Sequence, residues 1–213
     1  ILDPRLTVSQ PPRVTAGTGI DAIAHAVETA VTTKRTALSQ RLSAAAFTLC
    51  NGALPEVLQN PNDLAARGRM QLGAAYAGAA IENSMLGAAH AAANPLTAHF
   101  GIVHGQAVGL MLPHVVRFNA GEAEAQAAYA ALARAAGLVS SSESDARAVL
   151  ALGERLETLL VLARLPRTLA ECGVAESALV TLADEAARQW TAGFNPRRVT
   201  RDDFAELYAA AWG

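Results

Sequence analysis

Five histidines hold most of the chemistry this sequence offers, and four of them crowd into one stretch. Residues 86 to 114, LGAAHAAANPLTAHFGIVHGQAVGLMLPH, contain His90, His99, His104 and His114. The fifth, His25, lies in TGIDAIAHAVE, four residues after Asp21. On a helix an i, i+4 pair shares one face with Cβ atoms about 5–6 Å apart, a workable bite for one ion. The pair also fits a plainer reading. Asp21 stands three residues after Thr18, where an acid completes a capping box, and His25 could be a core histidine. His90 and His104 are fourteen positions apart, and a straight helix would separate them by about 21 Å. They can share an ion only if the chain turns between them, and Pro95 and Gly101 are expected to supply that turn. Gly87, Ala88, Ala89, Ala91, Ala92 and Ala93 offer the His90 imidazole no side-chain partner. A buried imidazole needs one, and a metal is one; a core or surface histidine is the alternative. Three imidazoles and a carboxylate suit Fe²⁺ or Zn²⁺ rather than Ca²⁺ or Mg²⁺. With a position left open, such an ion acts as a Lewis acid on a substrate oxygen.

The elements that must position these groups read as helices throughout. Residues 1–14, with prolines at 4, 11 and 12, read as an extended N-terminal segment. Thr18 is then the expected N-cap of a helix in which Ile20, Ile23, Ala24, Val27 and Val31 keep helical spacing. Thr36 can cap a second helix through Leu38, Leu42 and Leu49, with a break expected near Asn51, Gly52 and Pro55. An Ala- and Gly-rich helix over about 63–83 looks like the middle of a bundle. Two helices with an irregular join are expected over 86–118. The serine-rich run at 140–145 is the one linker-like stretch and a candidate subdomain break. Helices follow at about 146–163 and 175–190. The last has Thr200 as N-cap, Asp203 at N3, and Phe204, Leu207, Tyr208 and Trp212 on one face. No stretch alternates as a strand would, so the fold class is all-α, with 15–213 as one helical metal-binding domain.

Composition excludes several functions. The 213 residues are 52% hydrophobic, enough for a sizeable core, and carry a net charge of −2. One lysine and sixteen scattered arginines give no basic patch for nucleic acid. No apolar run is long enough to span a membrane, and no signal peptide is seen. Cys50 and Cys172 form no CxxC pattern and fit a reducing compartment, so a cytoplasmic location is expected. Gly17 to Ala22 fits GxGxxA, but PPRVTA is a poor strand and helix follows, so no dinucleotide fingerprint is read there.

TGIDAIAHAVE, followed by GAAHAAANPLTAHFGIVHGQAVGLMLPHVVRFN and later by NPRRVTRDDFAELYAAAW, resembles the helical C-terminal domain of the iron-containing (group III) alcohol dehydrogenases. The resemblance covers nearly the whole chain. It implies a bundle of the dehydroquinate synthase-like fold, with metal ligands at Asp21, His25, His90 and His104. It implies an oxidoreductase acting on a small alcohol, aldehyde or ketone with NAD or NADP. The nucleotide-binding domain of that family, with its glycine-rich loop, is expected to lie outside this chain. By itself the chain is then expected to bind metal without catalysing turnover, and self-association is left open. Many relatives carry a histidine where this chain has Asn94, so proton transfer must differ or use water. Asn94 and His99 are the candidate catalytic residues of the pocket. His114 is expected to pack at a helix turn. Maleylacetate reductases share the architecture with a tendency to an eroded ligand set, and an inactive metal-binding or assembly module is a third reading. Retention of Asp21 with His25 favours the alcohol dehydrogenase branch.

Overall fold

The computed structural model describes residues 1–213. Nine α-helices and three short 3-10 turns follow one another without a strand. The chain begins differently from the extended segment expected over 1–14. Pro4–Thr7 is a 3-10 turn in which the Arg5 N–H is capped by the Asp3 carboxylate. The first helix, α1, starts at Pro12 and runs to Thr29. Proline is tolerated at the first helical position because that N–H has no partner in any helix. Thr18 therefore lies inside α1, where its hydroxyl donates to the Val14 carbonyl, and caps nothing.

The second helix, α2, spans Ala37–Gln59 and is capped as expected by Thr36, in a reciprocal box with Ser39. The break expected near Asn51, Gly52 and Pro55 does not occur, and Pro55 lies within the helix. Proline removes the donor that the carbonyl four residues earlier would use. That carbonyl belongs to Asn51, and Arg155 supplies the missing donor. Its Nη2 donates to Asn51 O at 2.9 Å and its Nε to Asn51 Oδ1 at 2.6 Å. A tertiary guanidinium thus keeps a proline-containing helix intact.

Asp63 caps α3 (Leu64–Glu82) through the Ala66 N–H. The 86–118 region is two helices, α4 (Ala88–Phe100) and α5 (His104–Asn119). Pro95 does not make the turn between them; it sits inside α4. The turn comes from Gly101, with φ +63°, a left-handed conformation that glycine adopts without Cβ strain. The remaining helices are α6 (Ala123–Ala135), α7 (Asp145–Leu162), α8 (Leu179–Ala186) and α9 (Arg201–Trp212). Thr200 and Asp203 form the expected capping box of α9. The 175–190 stretch is broken: a 3-10 turn precedes α8, and another, Trp190–Phe194, follows it.

Helix α1 lies at the centre and packs on α2, α3 and α5, while α4 packs on α5 and α8. The serine-rich run joins α6 to α7, which pack on each other. One buried cluster extends from Ala16 in α1 to Ala211 in α9 across that run, so the core does not divide at 140–145. Cys50 is buried and Cys172 half-buried, both as free thiols. No helix is long and apolar enough to cross a membrane.

Candidate metal centre

Three helices converge on one point. α1 brings Asp21 and His25, α4 brings His90 from its first turn, and α5 brings His104 as its first residue. Asp21 lies deep within α1, so it is not a capping acid. Its Oδ1 stands 3.5 Å from His25 Nε2, 3.5 Å from His90 Nε2 and 3.8 Å from His104 Nε2. The ligand atoms of Asp21, His90 and His104 all lie within 4.8 Å of one another. His25 joins at the edge of this group, through Asp21 and by stacking on the His90 ring at 4.9 Å between centroids.

Close approach of α5 to α1 makes the convergence possible. A Cβ at Gly105, the residue after His104, would lie 2.1 Å from the Gly17 carbonyl oxygen and 3.1 Å from Asp21 Cβ. Only a residue without a side chain lets His104 sit over Asp21. Exposure grades across the group. The His90 side chain is 4% exposed, those of Asp21 and His25 23% and 24%, and that of His104 40%. The open side of the site is therefore at His104.

The sequence did not reveal the partner that orients His90. Glu28 is 2% exposed and accepts from His90 Nδ1 through Oε2 and from the Ala89 N–H through Oε1 at 2.7 Å. A carboxylate only accepts, so Nδ1 carries the proton, and in a neutral ring Nε2 then presents its lone pair toward Asp21. A legible signal existed: Glu28 is seven residues after Asp21 and three after His25 on one helix, so a second carboxylate shares the face that carries them.

Asp21 Oδ1 and His90 Nε2 are both buried and without a hydrogen-bond partner. The two atoms stand 3.5 Å apart, beyond the length of a good N–H···O bond even with Nε2 protonated. Ligands held about 2.0–2.1 Å from a tetrahedral ion lie roughly 3.3–3.4 Å apart. The spacing and the donor set thus fit a divalent cation of the iron or zinc type. Burial disfavours the His90 imidazolium, but the Glu28 and Asp21 carboxylates override it and raise its pKa to about 9. Burial holds His25 and His104 below the ordinary histidine value, against the pull of Asp21. Burial opposes ionisation of Asp21, yet His90, His25 and His104 together lower its pKa.

The other candidates lie outside this group. Asn94 sits one turn beyond His90 on α4, and its amide donates to Gln189 Oε1 at 3.0 Å. His99, in the last turn of α4, is 45% exposed and pairs with Glu185 of α8 at 2.8 Å. His114 lies within α5, its pKa lowered by burial and by Arg117. Gly17 to Ala22, the GxGxxA match, is internal to α1.

A helical bundle that gathers three histidines and an aspartate around one point has the donor set of a candidate metal centre. Comparison with known proteins is more specific. Residues 15–212 match the family model of the Fe-containing alcohol dehydrogenase family, C-terminal. The chain is 36% identical over 215 residues to long-chain-alcohol dehydrogenase 1 of Geobacillus thermodenitrificans (strain NG80-2), covering 100% of this chain and 53% of that protein. It is 34% identical over 211 residues to lactaldehyde reductase of Escherichia coli (strain K12), covering 99% of this chain and 54% of that one. The crystal structure of a 1,3-propanediol oxidoreductase superposes with a TM-score of 0.94 at 28% identity, over 99% of this chain and 55% of its own. The chain belongs to the Fe-containing alcohol dehydrogenase family. It spans about half the length of the curated relatives it matches.

Proposed function

We propose that this chain is the metal-binding half of an NAD(P)-dependent alcohol dehydrogenase, with Asp21, His25, His90 and His104 as ligands of one divalent ion, Fe²⁺ or Zn²⁺. The observation that carries the reading is the pair of buried, unpartnered atoms Asp21 Oδ1 and His90 Nε2, facing each other at 3.5 Å. When bound, the ion supplies Lewis acidity that polarises an alcohol or carbonyl oxygen. The chain's own residues prepare that chemistry. Glu28 fixes the His90 tautomer, and Gly105 lets His104 close over Asp21. The half-exposed His104 marks the side from which a small alcohol, aldehyde or ketone reaches the site.

Asn94 is proposed to line the pocket. Its amide can orient a substrate hydroxyl but cannot take up a proton, and Gln189 holds it in place. His99 is proposed to exchange protons with solvent at the rim, where Glu185 pairs with it. The dinucleotide is proposed to come from a separate nucleotide-binding domain, because the matched relatives are about twice as long. The retained Asp21–His25 pair favours this reading over a maleylacetate reductase.

The test combines elemental analysis with nicotinamide absorbance on a panel of short primary and secondary alcohols, using the protein with its nucleotide-binding domain. About one divalent ion per chain is expected, by ligand count. Asp21→Ala and His104→Ala should each lose most of the metal and the turnover, while His114→Ala keeps both. Equal metal retention in all three variants would remove the assignment. Full activity after metal stripping would move the protein to the maleylacetate reductase side.

A further inference from the structure

The buried polar groups behind His90 form a chain that reaches the far end of the sequence. Gly87, the N-cap of α4, has no side chain with which to cap the helix. Two acceptors from elsewhere do so instead. Glu28 Oε1 accepts from the Ala89 N–H at 2.7 Å, and Asn195 Oδ1 accepts from the Ala88 N–H at 3.3 Å. The positive end of α4 suits both oxygens.

Asn195 is itself fixed by a reciprocal amide pair. Its Nδ2 donates to Asn119 Oδ1 at 2.6 Å, and Asn119 Nδ2 donates to Asn195 Oδ1 at 3.1 Å. The second Asn195 N–H goes to the Arg197 carbonyl at 2.7 Å, and the second Asn119 N–H to the Tyr129 hydroxyl at 3.1 Å. Glu28, Asn119 and Asn195 are 2%, 1% and 4% exposed, so water competes for none of these bonds. Every amide hydrogen is used, as a buried network requires. Gly87 is where the two caps meet: a Cβ there would lie 3.1 Å from both Asn195 Oδ1 and Glu28 Oε1.

We propose that Asn195, locked by Asn119, and Glu28 are positioning residues for metal binding, jointly fixing the first turn of α4 so that His90 Nε2 points at Asp21. The proposal rests on the reading of His90 as a ligand. Its further content is that the 195–197 segment after the last 3-10 turn sets metal affinity without contributing a ligand. Glu28 acts directly, through Nδ1 of the ring. Asn195 acts through the backbone of Ala88, two residues before His90. Supports of this kind are worth about 10–100-fold in metal affinity.

The test is a Co²⁺ titration against a competing chelator, read by visible absorption of the bound ion, on the intact protein and its variants. Glu28→Gln leaves one acceptor oxygen for two donors and should weaken Co²⁺ binding by about 10–100-fold. Asn195→Ala should weaken it by about tenfold, and Asn119→Ala by a similar factor. The double variant of Asn119 and Asn195 should lose no more than the worse single one, because both act through one amide pair. Gly87→Ala, which keeps every polar group and only wedges the two caps apart, should also weaken binding. Leu152→Ala, a core truncation in α7, which carries none of these groups, controls for general loss of stability and should leave Co²⁺ affinity within about twofold. Should Asn195→Ala and Gly87→Ala fold and bind Co²⁺ as the unaltered protein does, while His90→Ala does not bind, the positioning role is overturned and the metal site stands. If the unaltered protein binds no Co²⁺, Fe²⁺ or Zn²⁺, both readings fall together.

Discussion

Gly105→Ala tests whether the contact between α1 and α5 makes the site. The added methyl would stand 2.1 Å from the Gly17 carbonyl oxygen, and real Cβ atoms essentially never come closer than 3.0 Å. The obstacle is backbone in the middle of α1, so no side-chain rotation relieves it. Helix α5 must then retreat by about 0.9 Å to reach that limit. Overpacking of this kind costs about 1–3 kcal/mol. For a chain of this size each kcal/mol lowers Tm by about 2–4 °C, so a fall of roughly 2–12 °C is expected. The effect on metal should be the more telling one. His104 is the neighbouring residue, and ligand distances tolerate only about 0.2 Å. A retreat several times larger should lower affinity by about 10–100-fold, the range for disturbing a ligand's support. The assay is thermal unfolding of the metal-free protein beside chelator competition with Zn²⁺. Gly52→Ala is the control, since nothing lies within 4 Å of a Cβ there, in the exposed middle of α2. It should add roughly 0.5–1 kcal/mol of stability and leave metal affinity alone. A Gly105→Ala protein with unchanged Tm and unchanged Zn²⁺ affinity would refute the close-approach argument.

The pKa of His90, raised from 6.5 to about 9, has two measurable consequences. A raised value favours the fold fully below 6.5, and that contribution is lost as pH rises through about 9. The Tm of the metal-free protein should therefore fall over this window, and His90→Gln should flatten that part of the profile. Metal must displace the His90 proton, so binding at pH 7.5 should release about one proton, measured by calorimetry in buffers of different ionisation enthalpy; zero release would contradict the Glu28–His90–Asp21 arrangement. Arg155→Met should cost about 1–3 kcal/mol in denaturant unfolding, because Asn51 loses the donor that Pro55 cannot supply. Adding Pro55→Ala should recover part of that loss, and no recovery would count against the explanation. Thr200→Ala removes the capping box of α9 and should cost about 1 kcal/mol in the same assay; unchanged stability would show the cap to be idle.

Local features were legible because their physics is local. Thr36 and Thr200 announce helix starts, since a hydroxyl reaches an N–H three residues on whatever the rest of the chain does. The Asp21–His25 spacing places two donors on one helix face for the same reason, and the lack of strand alternation decided the all-α class. The prolines misled where distant groups intervened. Pro12 begins a helix instead of preventing one, and Pro55 is accommodated because Arg155 arrives from a hundred residues away. Asp21, His25, His90 and His104 were readable as a list of candidates, but their convergence depends on Gly105, whose role is visible only against the Gly17 carbonyl. Glu28 lay in plain sight beside His25. Yet its partners, the His90 ring and the Ala89 N–H, are about sixty residues distant, and Asn195 meets Ala88 across still more. Helix formation and side-chain spacing were thus set by neighbours along the chain. Which buried acceptor meets which donor, and whether three helices come close enough to bring these side chains together, was decided by packing, because those energies arise only between surfaces that folding brings together.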